Sequence, residues 1–203
     1  DILELRRHVR VTTYELFADP PEPLVPRWLR LPVDERVFSD GNILKAVQRE
    51  DVERAVDAMR AEGVTSLAIA FLHSYVNPAN EQAAAEIVRE LAPEIAVTLS
   101  SDVLPQIKEF ERTSTTVVNA YVKPLAQRYL ANLDAGLQSA GYKAPLHIML
   151  SNGGLGSTMT AGDFPIRLIE SGPVAGAIVG RQLAELMNIR NVLSFDMGGT
   201  TAK

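Results

Sequence analysis

The chain has 203 residues, enough for one large domain or two small ones. Apolar residues make up 46% and charged residues 22%, as in globular proteins with a buried core, and the net charge of −5 argues against nucleic-acid binding. The absence of cysteine excludes disulfide and thiolate chemistry, and no apolar stretch is long enough for a membrane span. We expect a cytoplasmic protein, and because the chain begins at Asp1 and stops directly after a Gly-Gly turn, a fragment of a longer one.

The first half of the chain predicts an alternation of strands and helices. Prolines concentrated between residues 19 and 32 predict an extended surface connection ahead of it. Apolar residues at helical spacing and continuous apolar runs then follow one another. In chain order the predicted elements are a strand over residues 30–38, a helix over 50–62, a strand over 66–72, a helix over 78–91 and a strand over 95–99.

A long predicted helix over residues 112–140 opens the second half. Pro124 interrupts it, so we expect a kink or two abutting helices at a joint between two subdomains. An i, i+4 apolar series runs through Val117, Tyr121, Leu125, Tyr129, Leu133 and Leu137. The remaining predicted elements are a strand over residues 146–150, a helix over 172–187 and a strand over 192–195. Strands that alternate with helices predict an α/β fold with a mostly parallel sheet.

The last predicted strand runs into an acid, two glycines and two threonines. Asp196 is placed to hold a hydrated Mg²⁺, and Gly198 and Gly199 let the backbone approach phosphate oxygens. Thr200 and Thr201 add hydroxyl donors. The order is similar to the phosphate loop of the actin, Hsp70 and sugar-kinase ATPases, whereas a Walker A ending is missing. An ordinary Gly-Gly hairpin turn is the alternative.

Asn152, Gly153 and Gly154 follow the strand over residues 146–150. Ligands in open α/β sheets bind beyond strand ends, so this polar turn is a candidate phosphate contact. The alternative is a strand-exit turn without a ligand.

Ser171 and Gly172 begin the next predicted helix, with Ser171 as its N-cap, and a helix start is suited to anions. Gly172, Gly176 and Gly180 fall on one helix face, and close packing of that face on the sheet is the alternative explanation of the glycines.

Two further positions are candidates for contact with a substrate. Glu111 and Arg112 precede a hydroxyl-rich helix start, where helix capping and a surface ion pair are the alternative. His73 stands at a strand end, although a lone histidine is more often structural. The sequence shows no metal-ligand cluster.

Five short motifs occur together in this chain. They are residues 71–75 (FLHSY), 111–121 (ERTSTTVVNAY), 151–154 (SNGG), 171–176 (SGPVAG) and 196–200 (DMGGT). In this order they resemble the hydantoinase A / 5-oxoprolinase family, which includes ATP-dependent N-methylhydantoinases and the matching subunit of acetone carboxylases. The resemblance implies an actin-like ATPase fold with two ribonuclease-H-like lobes. Residues 1–110 would be the later part of the N-terminal lobe, and residues 111–203 the connecting helices and the start of the catalytic lobe.

The resemblance also implies an enzyme, an ATP-dependent hydrolase of cyclic amides such as hydantoin or 5-oxoproline. Phosphorylation of the resonance-stabilised ring carbonyl would make its oxygen a leaving group that water displaces. The alternatives are the ATP-using subunit of a ketone carboxylase and an actin-like ATPase scaffold that hydrolyses no amide. The implied cofactors are ATP and Mg²⁺, and the implied partners are a small cyclic amide and a hydantoinase B-type subunit or domain in an oligomer, without nucleic acid or membrane.

The implied site has a catalytic, magnesium-binding Asp196, which would hold the metal through water. The implied phosphate contacts are Gly198, Gly199, Thr200, Thr201, Asn152, Gly153, Gly154, Ser171 and Gly172. Residues that would face the substrate are His73, Glu111 and Arg112.

Overall fold

The computed structural model describes residues 2–7, 12–15, 17–18 and 21–199. Two compact units divide the chain, residues 1–124 and residues 125–203. No helix among the described residues has both the length and the apolar character that crossing a membrane requires.

The first unit combines one parallel and one antiparallel strand pair with helices. Its elements are α1 (Ile2–Leu5), a 3-10 helix (Arg27–Leu29), β1 (Arg36–Val37), β2 (Ile43–Lys45), α2 (Arg49–Ala61), β3 (Ser66–Ile69), α3 (Ala79–Leu91), β4 (Ala96–Leu99), α4 (Ser100–Val103) and the first half of α5 (Glu109–Ser139). The helices predicted over residues 50–62 and 78–91 and the strand predicted over 95–99 are confirmed, whereas the strand predicted over 66–72 is formed only over Ser66–Ile69. The strand predicted over residues 30–38 is shorter, since only Arg36–Val37 pairs, antiparallel with β2.

The core of the first unit lies between helices α2 and α3 and the parallel pair β3–β4. Register runs from Ser66 opposite Ala96 to Ile69 opposite Leu99. Apolar side chains from both helices pack with the strands. The buried core residues are Val52, Val56, Ile69, Ala84, Ala85, Val88, Ala92, Ile95 and Leu99. Because β3 and β4 are parallel, both strands end at the same edge, which fixes where loop side chains meet.

Helix α5 continues through Pro124 as one helix. Proline has no N–H, so it cannot donate to the carbonyl of Ala120 four residues earlier. That carbonyl instead accepts a hydrogen bond from Ser66 Oγ of β3 at 2.7 Å. The interruption predicted from Pro124 is therefore a contact between helix and strand rather than a break in the helix.

The i, i+4 apolar series of α5 does not form one buried face. Tyr121, Leu125 and Tyr129 are 68%, 64% and 63% exposed, whereas Val117 and Leu130 are buried. A spacing of four residues advances about 40° around a helix at each step, so the series drifts out of the buried side.

The second unit contains a hairpin and helices. After the remainder of α5 its elements are β5 (His147–Met149), β6 (Leu155–Ser157), α6 (Thr158–Asp163), a 3-10 helix (Pro165–Leu168) and α7 (Ser171–Leu186). Strand β5 pairs antiparallel with β6 and does not join a parallel sheet. The strand predicted over residues 192–195 is not formed, and Leu193 is 90% exposed. Apolar residues at strand spacing need a partner strand, and no strand of the described residues pairs with this segment.

The α/β class predicted from the alternation of helices and strands is confirmed. Within the described residues the strands form three separate two-stranded sheets, of which β3–β4 is the parallel one.

Candidate functional site

Asn152, Gly153 and Gly154 form the tight turn of the β5–β6 hairpin. The N–H of Gly153 donates to Leu150 O at 2.9 Å, and the N–H of Gly154 donates to Asn152 Oδ1 at 2.9 Å. Gly153 has φ +83°, the left-handed conformation that a three-residue hairpin loop requires. Since both glycine N–H groups already have acceptors inside the turn, a phosphate contact here falls to the Asn152 Nδ2 amide.

Helix α7 begins one residue earlier than predicted. Its N-cap is Glu170, whose φ of 68° is left-handed, and Ser171 is the first helical residue rather than the cap. Val174 N–H donates to Glu170 O at 3.3 Å, and Pro173 has no N–H. The backbone donors left at this helix start are therefore those of Ser171 and Gly172. A Cβ built at Gly172 meets no atom within 4 Å, so packing does not explain this glycine.

The segment that carries Asp196 lies along α7. A Cβ added at Gly180 would meet Ser194 Cβ at 3.5 Å and Val192 Cγ1 at 3.9 Å, and one added at Gly176 would meet Ser194 Oγ at 3.9 Å. These are ordinary contacts, so Gly176 and Gly180 pack on Ser194 and Val192 less closely than predicted, and Gly172 takes no part.

Asp196, Gly198 and Gly199 follow this segment and are all exposed. The Asp196 carboxylate makes no hydrogen bond or ion pair with the described residues. A Cβ at Gly199 would meet nothing within 4 Å. Thr200 and Thr201 lie outside the described residues.

The structure places the hairpin turn and the segment before Asp196 on different sides of α7. Gly153 lies against Val174 and Ile178, whereas Ser194 lies against Gly176 and Gly180. Residues two apart on a helix differ by about 200° around its axis. The two predicted phosphate contacts, the hairpin turn and the segment before Asp196, therefore pack against opposite faces of α7.

The predicted substrate-facing residues belong to the first unit. Glu111 forms an ion pair with Arg7, with 2.8 Å between Oε1 and Nε. The Glu111 backbone N–H, together with the Arg7 and Lys108 cations, lowers the pKa of the Glu111 carboxyl.

Arg112 is almost fully buried, at 1% exposure. Its Nη1 donates to Gln106 O at 2.7 Å and its Nη2 to Phe71 O at 3.1 Å, while Nε has no partner among the described residues. The guanidinium lies 5.4 Å from the centre of the Tyr75 ring, within cation–π range. This arrangement suits an internal structural contact rather than direct contact with a ligand.

His73 lies in the loop after β3 and is half-buried. Its φ of 59° is left-handed, which is uncommon for a residue other than glycine. The His73 and Tyr75 rings lie 5.9 Å apart, and Tyr75 Oη is 3.5 Å from His73 Nδ1. The Glu35 carboxyl interacts electrostatically with His73, and burial raises the pKa of that carboxyl.

Sequence reasoning missed Glu81, which is fully buried in the first turn of α3. Its carboxylate accepts hydrogen bonds from Phe71 N (2.9 Å), Ser100 Oγ (2.5 Å) and Ser101 N (2.9 Å). An acidic residue near a helix start is ordinarily a surface group that complements the helix dipole, so its position carried no signal of burial.

Among the described residues there is no group of three or more acidic, histidine or cysteine side chains that could hold a metal ion. A protein usually binds Mg²⁺ through one or two carboxylates together with the phosphates of a substrate. A single exposed carboxylate such as Asp196 is compatible with that kind of site.

Sequence comparison places the chain among known proteins. The hydantoinase/oxoprolinase N-terminal region profile matches residues 1–92, and the hydantoinase/oxoprolinase profile matches residues 112–203. Caprolactamase subunit alpha of Pseudomonas jessenii is 38% identical over 93% of this chain and 27% of its own length. The 5-oxoprolinase of Saccharomyces cerevisiae is 35% identical over 80% of this chain and 13% of its own length.

Solved structures give the same result for the fold. The crystal structure of ATP-dependent caprolactamase from Pseudomonas jessenii superposes with a TM-score of 0.86 at 37% identity, over 98% of this chain and 29% of that one. Nucleotide-free acetone carboxylase superposes with a TM-score of 0.80 at 30% identity, over 91% of this chain and 26% of that one.

The chain thus spans less than a third of the length of these relatives. It has the α/β fold of the corresponding part of their actin-like ATPase architecture. Two matched profiles and two superposed structures agree, and the chain belongs to the hydantoinase/oxoprolinase family.

Proposed function

We propose that the intact protein is an ATP-dependent hydrolase of a cyclic amide of the hydantoin or 5-oxoproline type. The observation that carries this proposal is the family membership together with the similarity to an ATP-dependent caprolactamase along nearly the whole chain. Caprolactamase and 5-oxoprolinase are both named for cyclic amide substrates.

The chemistry explains why such an enzyme would need ATP. Resonance makes a lactam or imide carbonyl a poor electrophile. ATP supplies a phosphoryl group that turns the carbonyl oxygen into a leaving group. The task of the protein is to bind the phosphates, orient the ring and direct N–H and hydroxyl donors at developing negative charge.

The residues of the second unit fit a phosphate site. Asp196 is exposed and unpaired with the described residues, which leaves its carboxylate available to a magnesium-bound water. Gly198 and Gly199 are exposed, and the start of α7 retains the N–H groups of Ser171 and Gly172. We assign the metal role to Asp196 and the phosphate roles to these glycines and Ser171, with Thr200, Thr201 and, from the turn of residues 152–154, the Asn152 side-chain amide as further contacts.

The domain assignment belongs to the same proposal. Residues 1–110 would be the later part of the N-terminal lobe and residues 111–203 the start of the catalytic lobe. The proposal also includes a hydantoinase B-type partner, an oligomeric assembly and a cytoplasmic location. Similarity to caprolactamase subunit alpha and to the acetone carboxylase beta subunit of Xanthobacter autotrophicus supports a partner subunit.

A second candidate is the ATP-using subunit of a ketone carboxylase. It is favoured by the superposition on acetone carboxylase and by 32% identity to the acetone carboxylase beta subunit over 98% of this chain.

Phosphate release by the intact protein with Mg-ATP distinguishes these functions. The substrates to compare are hydantoin, 5-oxoproline, caprolactam, and acetone with bicarbonate. Stimulation by a cyclic amide supports the hydrolase, stimulation by acetone with bicarbonate supports the carboxylase, and stimulation by none of them leaves an ATPase without amidohydrolase activity.

The Asp196→Asn variant tests the phosphate site. We expect its turnover of ATP to be lost while its melting temperature changes little, because substitutions at exposed positions usually change stability by about 0.5 kcal/mol or less. Asp57→Asn, at an exposed position of α2, is the matched control and should retain full turnover. Undiminished ATP turnover by Asp196→Asn would contradict the assignment.

A further inference from the structure

Two buried side chains of opposite charge hold the same peptide segment after β3. Glu81 Oε1 accepts the Phe71 N–H at 2.9 Å, and Arg112 Nη2 donates to Phe71 O at 3.1 Å. Glu81 is 0% and Arg112 1% exposed. Phe71 is therefore fixed through both of its backbone polar groups by side chains that come from two different helices.

The same carboxylate joins this loop to the end of β4. Glu81 accepts from Ser100 Oγ and from Ser101 N, and Ser74 Oγ lies 3.0 Å from Ser100 Oγ. Because β3 and β4 are parallel, the loop after β3 and helix α4 after β4 both leave the sheet at its carboxyl edge, which is where ligands bind in open α/β sheets.

His73 and Tyr75 are half-buried residues of this loop whose rings carry polar atoms. His73 keeps its left-handed backbone, and such a conformation persists only where the surroundings hold it in place. The Tyr75 ring lies 5.9 Å from the His73 ring and 5.4 Å from the Arg112 guanidinium, and its Oη lies 3.5 Å from His73 Nδ1, which leaves Nε2 as the other polar atom of the imidazole. A neutral imidazole has one donor and one acceptor nitrogen, and a phenol can act as either.

The edge of a cyclic amide has the complementary pattern, since its N–H and C=O groups lie side by side on the ring. We propose that His73 and Tyr75 bind the ring amide of the substrate, and that Glu81 and Arg112 are positioning residues that hold them in place. This inference rests on the proposed function, for which it names the groups that bind the ring.

Steady-state kinetics of the intact protein test it, with the Michaelis constants for the cyclic amide and for ATP measured separately. We use whichever of hydantoin, 5-oxoproline and caprolactam stimulates phosphate release most. His73→Asn retains a residue that tolerates the left-handed conformation, and Tyr75→Phe retains the ring beneath Arg112. Each should raise KM for the amide about tenfold or more, as expected for one lost hydrogen bond, and leave KM for ATP unchanged.

The positioning variants are Glu81→Gln and Arg112→Lys. Their matched controls, Glu86→Gln on α3 and Arg128→Lys on α5, change exposed side chains of the same helices. The two positioning variants should raise KM for the amide and leave KM for ATP unchanged. The two control variants should change neither Michaelis constant. A general loss of folded protein would instead lower the apparent kcat and leave both Michaelis constants unchanged.

The outcomes distinguish the inference from the proposed function. Unchanged KM for the amide in His73→Asn and Tyr75→Phe overturns the ring-binding assignment while the hydrolase stands. Normal KM in folded Glu81→Gln and Arg112→Lys overturns the positioning role. If one positioning variant does not fold, a crystal structure of the other variant tests the positioning role. That role is overturned if His73 keeps its left-handed backbone and its original position in that structure. No turnover of any cyclic amide by the unmodified protein overturns the proposed function and this inference with it.

Discussion

At the scale of single residues, Gly153 shows how one backbone conformation fixes the candidate phosphate turn. It combines φ +83° with a position in which a Cβ would lie 3.1 Å from Ile178 Cδ1. Alanine would need a left-handed backbone and would displace the Ile178 side chain. The turn therefore depends on glycine for its packing against α7.

We expect Gly153→Ala to destabilise the protein by about 1–2 kcal/mol, the usual cost of a left-handed conformation for a residue with a Cβ. Gly136→Ala is the control, because Gly136 is an exposed residue inside α5 with no neighbour for a Cβ. That variant should gain up to about 1 kcal/mol from helix propensity. Thermal melting of both variants measures the difference, and equal melting temperatures would contradict the role given to Gly153.

The carboxyl of Glu35 predicts a dependence of stability on pH. Burial raises its pKa above the ordinary 4.5, although Asn80 Nδ2 donates to it at 2.8 Å. The folded state therefore binds the proton more tightly than the unfolded state. Its contribution to stability is present below pH 4.5 and is lost as the pH rises through the raised value.

Glu35→Gln removes this titration. We expect the melting temperature of the unmodified protein to fall relative to that of Glu35→Gln as the pH rises from about 4 to about 7. Asp40→Asn is a control of opposite sign, because hydrogen bonds from Asn42 lower the pKa of Asp40 below 3.8. The difference in melting temperature between Asp40→Asn and the unmodified protein should change with pH only as the pH falls below 3.8. A difference between Glu35→Gln and the unmodified protein that does not vary with pH would rule out the burial effect.

At the scale of elements, α5 and β3 are joined at the carbonyl that Pro124 leaves without a helical partner. Ser66 Oγ donates to Ala120 O. Ser66→Ala should cost about 1–2 kcal/mol, because a partly buried carbonyl would lose its hydrogen-bond donor. Ser139→Ala is the matched control, since Ser139 Oγ also donates to an α5 carbonyl, that of Ala135, but is exposed.

A double-mutant cycle with Pro124→Ala identifies the cause. Alanine at position 124 restores the N–H that can donate to Ala120 O, so Ser66→Ala should cost less in that background. Additive changes in the free energy of unfolding would mean that Pro124 and Ser66 do not share this carbonyl.

The elements also show which features could be predicted from the sequence. The spacing of apolar residues located α2, β3, α3 and β4 because each buries its face within the same unit. The hairpin partner of β5 is not predictable from the sequence, because β6 is three residues long and has glycine at its centre, which carries no strand signal. The segment over residues 192–195 has the composition of a strand, but a strand exists only where another strand accepts its hydrogen bonds.

The residues of the candidate site also fall into those that the sequence predicts and those that it does not. His73 and the glycine turns could be found because unusual residues stand at strand ends. Glu81 could not, because only the folded chain shows that its carboxylate is surrounded by donors from Phe71, Ser100 and Ser101. Tertiary placement converts an ordinary helix-start acid into the centre of a buried network.

At the scale of the whole molecule, the 203-residue chain covers less than a third of its relatives. We expect this chain alone to show no ATPase activity and at most weak nucleotide affinity. In the proposed site, ordering the exposed Asp196, Gly198 and Gly199 on phosphate binding costs entropy, which reduces the affinity. Calorimetric titration with Mg-ATP, beside the intact protein, measures this. Low-micromolar binding or turnover by the chain alone would show that it carries a complete nucleotide site.

The Glu81 carboxylate should also slow the hydrogen–deuterium exchange of two backbone amides. Phe71 and Ser101 both donate their N–H groups to it, although both lie beyond the ends of β3 and β4. Amides in a loop or in the first turn of a short helix such as α4 ordinarily exchange through local fluctuations, whereas these two are released only when a fully buried carboxylate separates from them. Their exchange should therefore be as slow as that of the strand amides of Leu67 and Thr98, whose N–H groups point into the β3–β4 ladder, so that protection extends past the visible ends of the sheet.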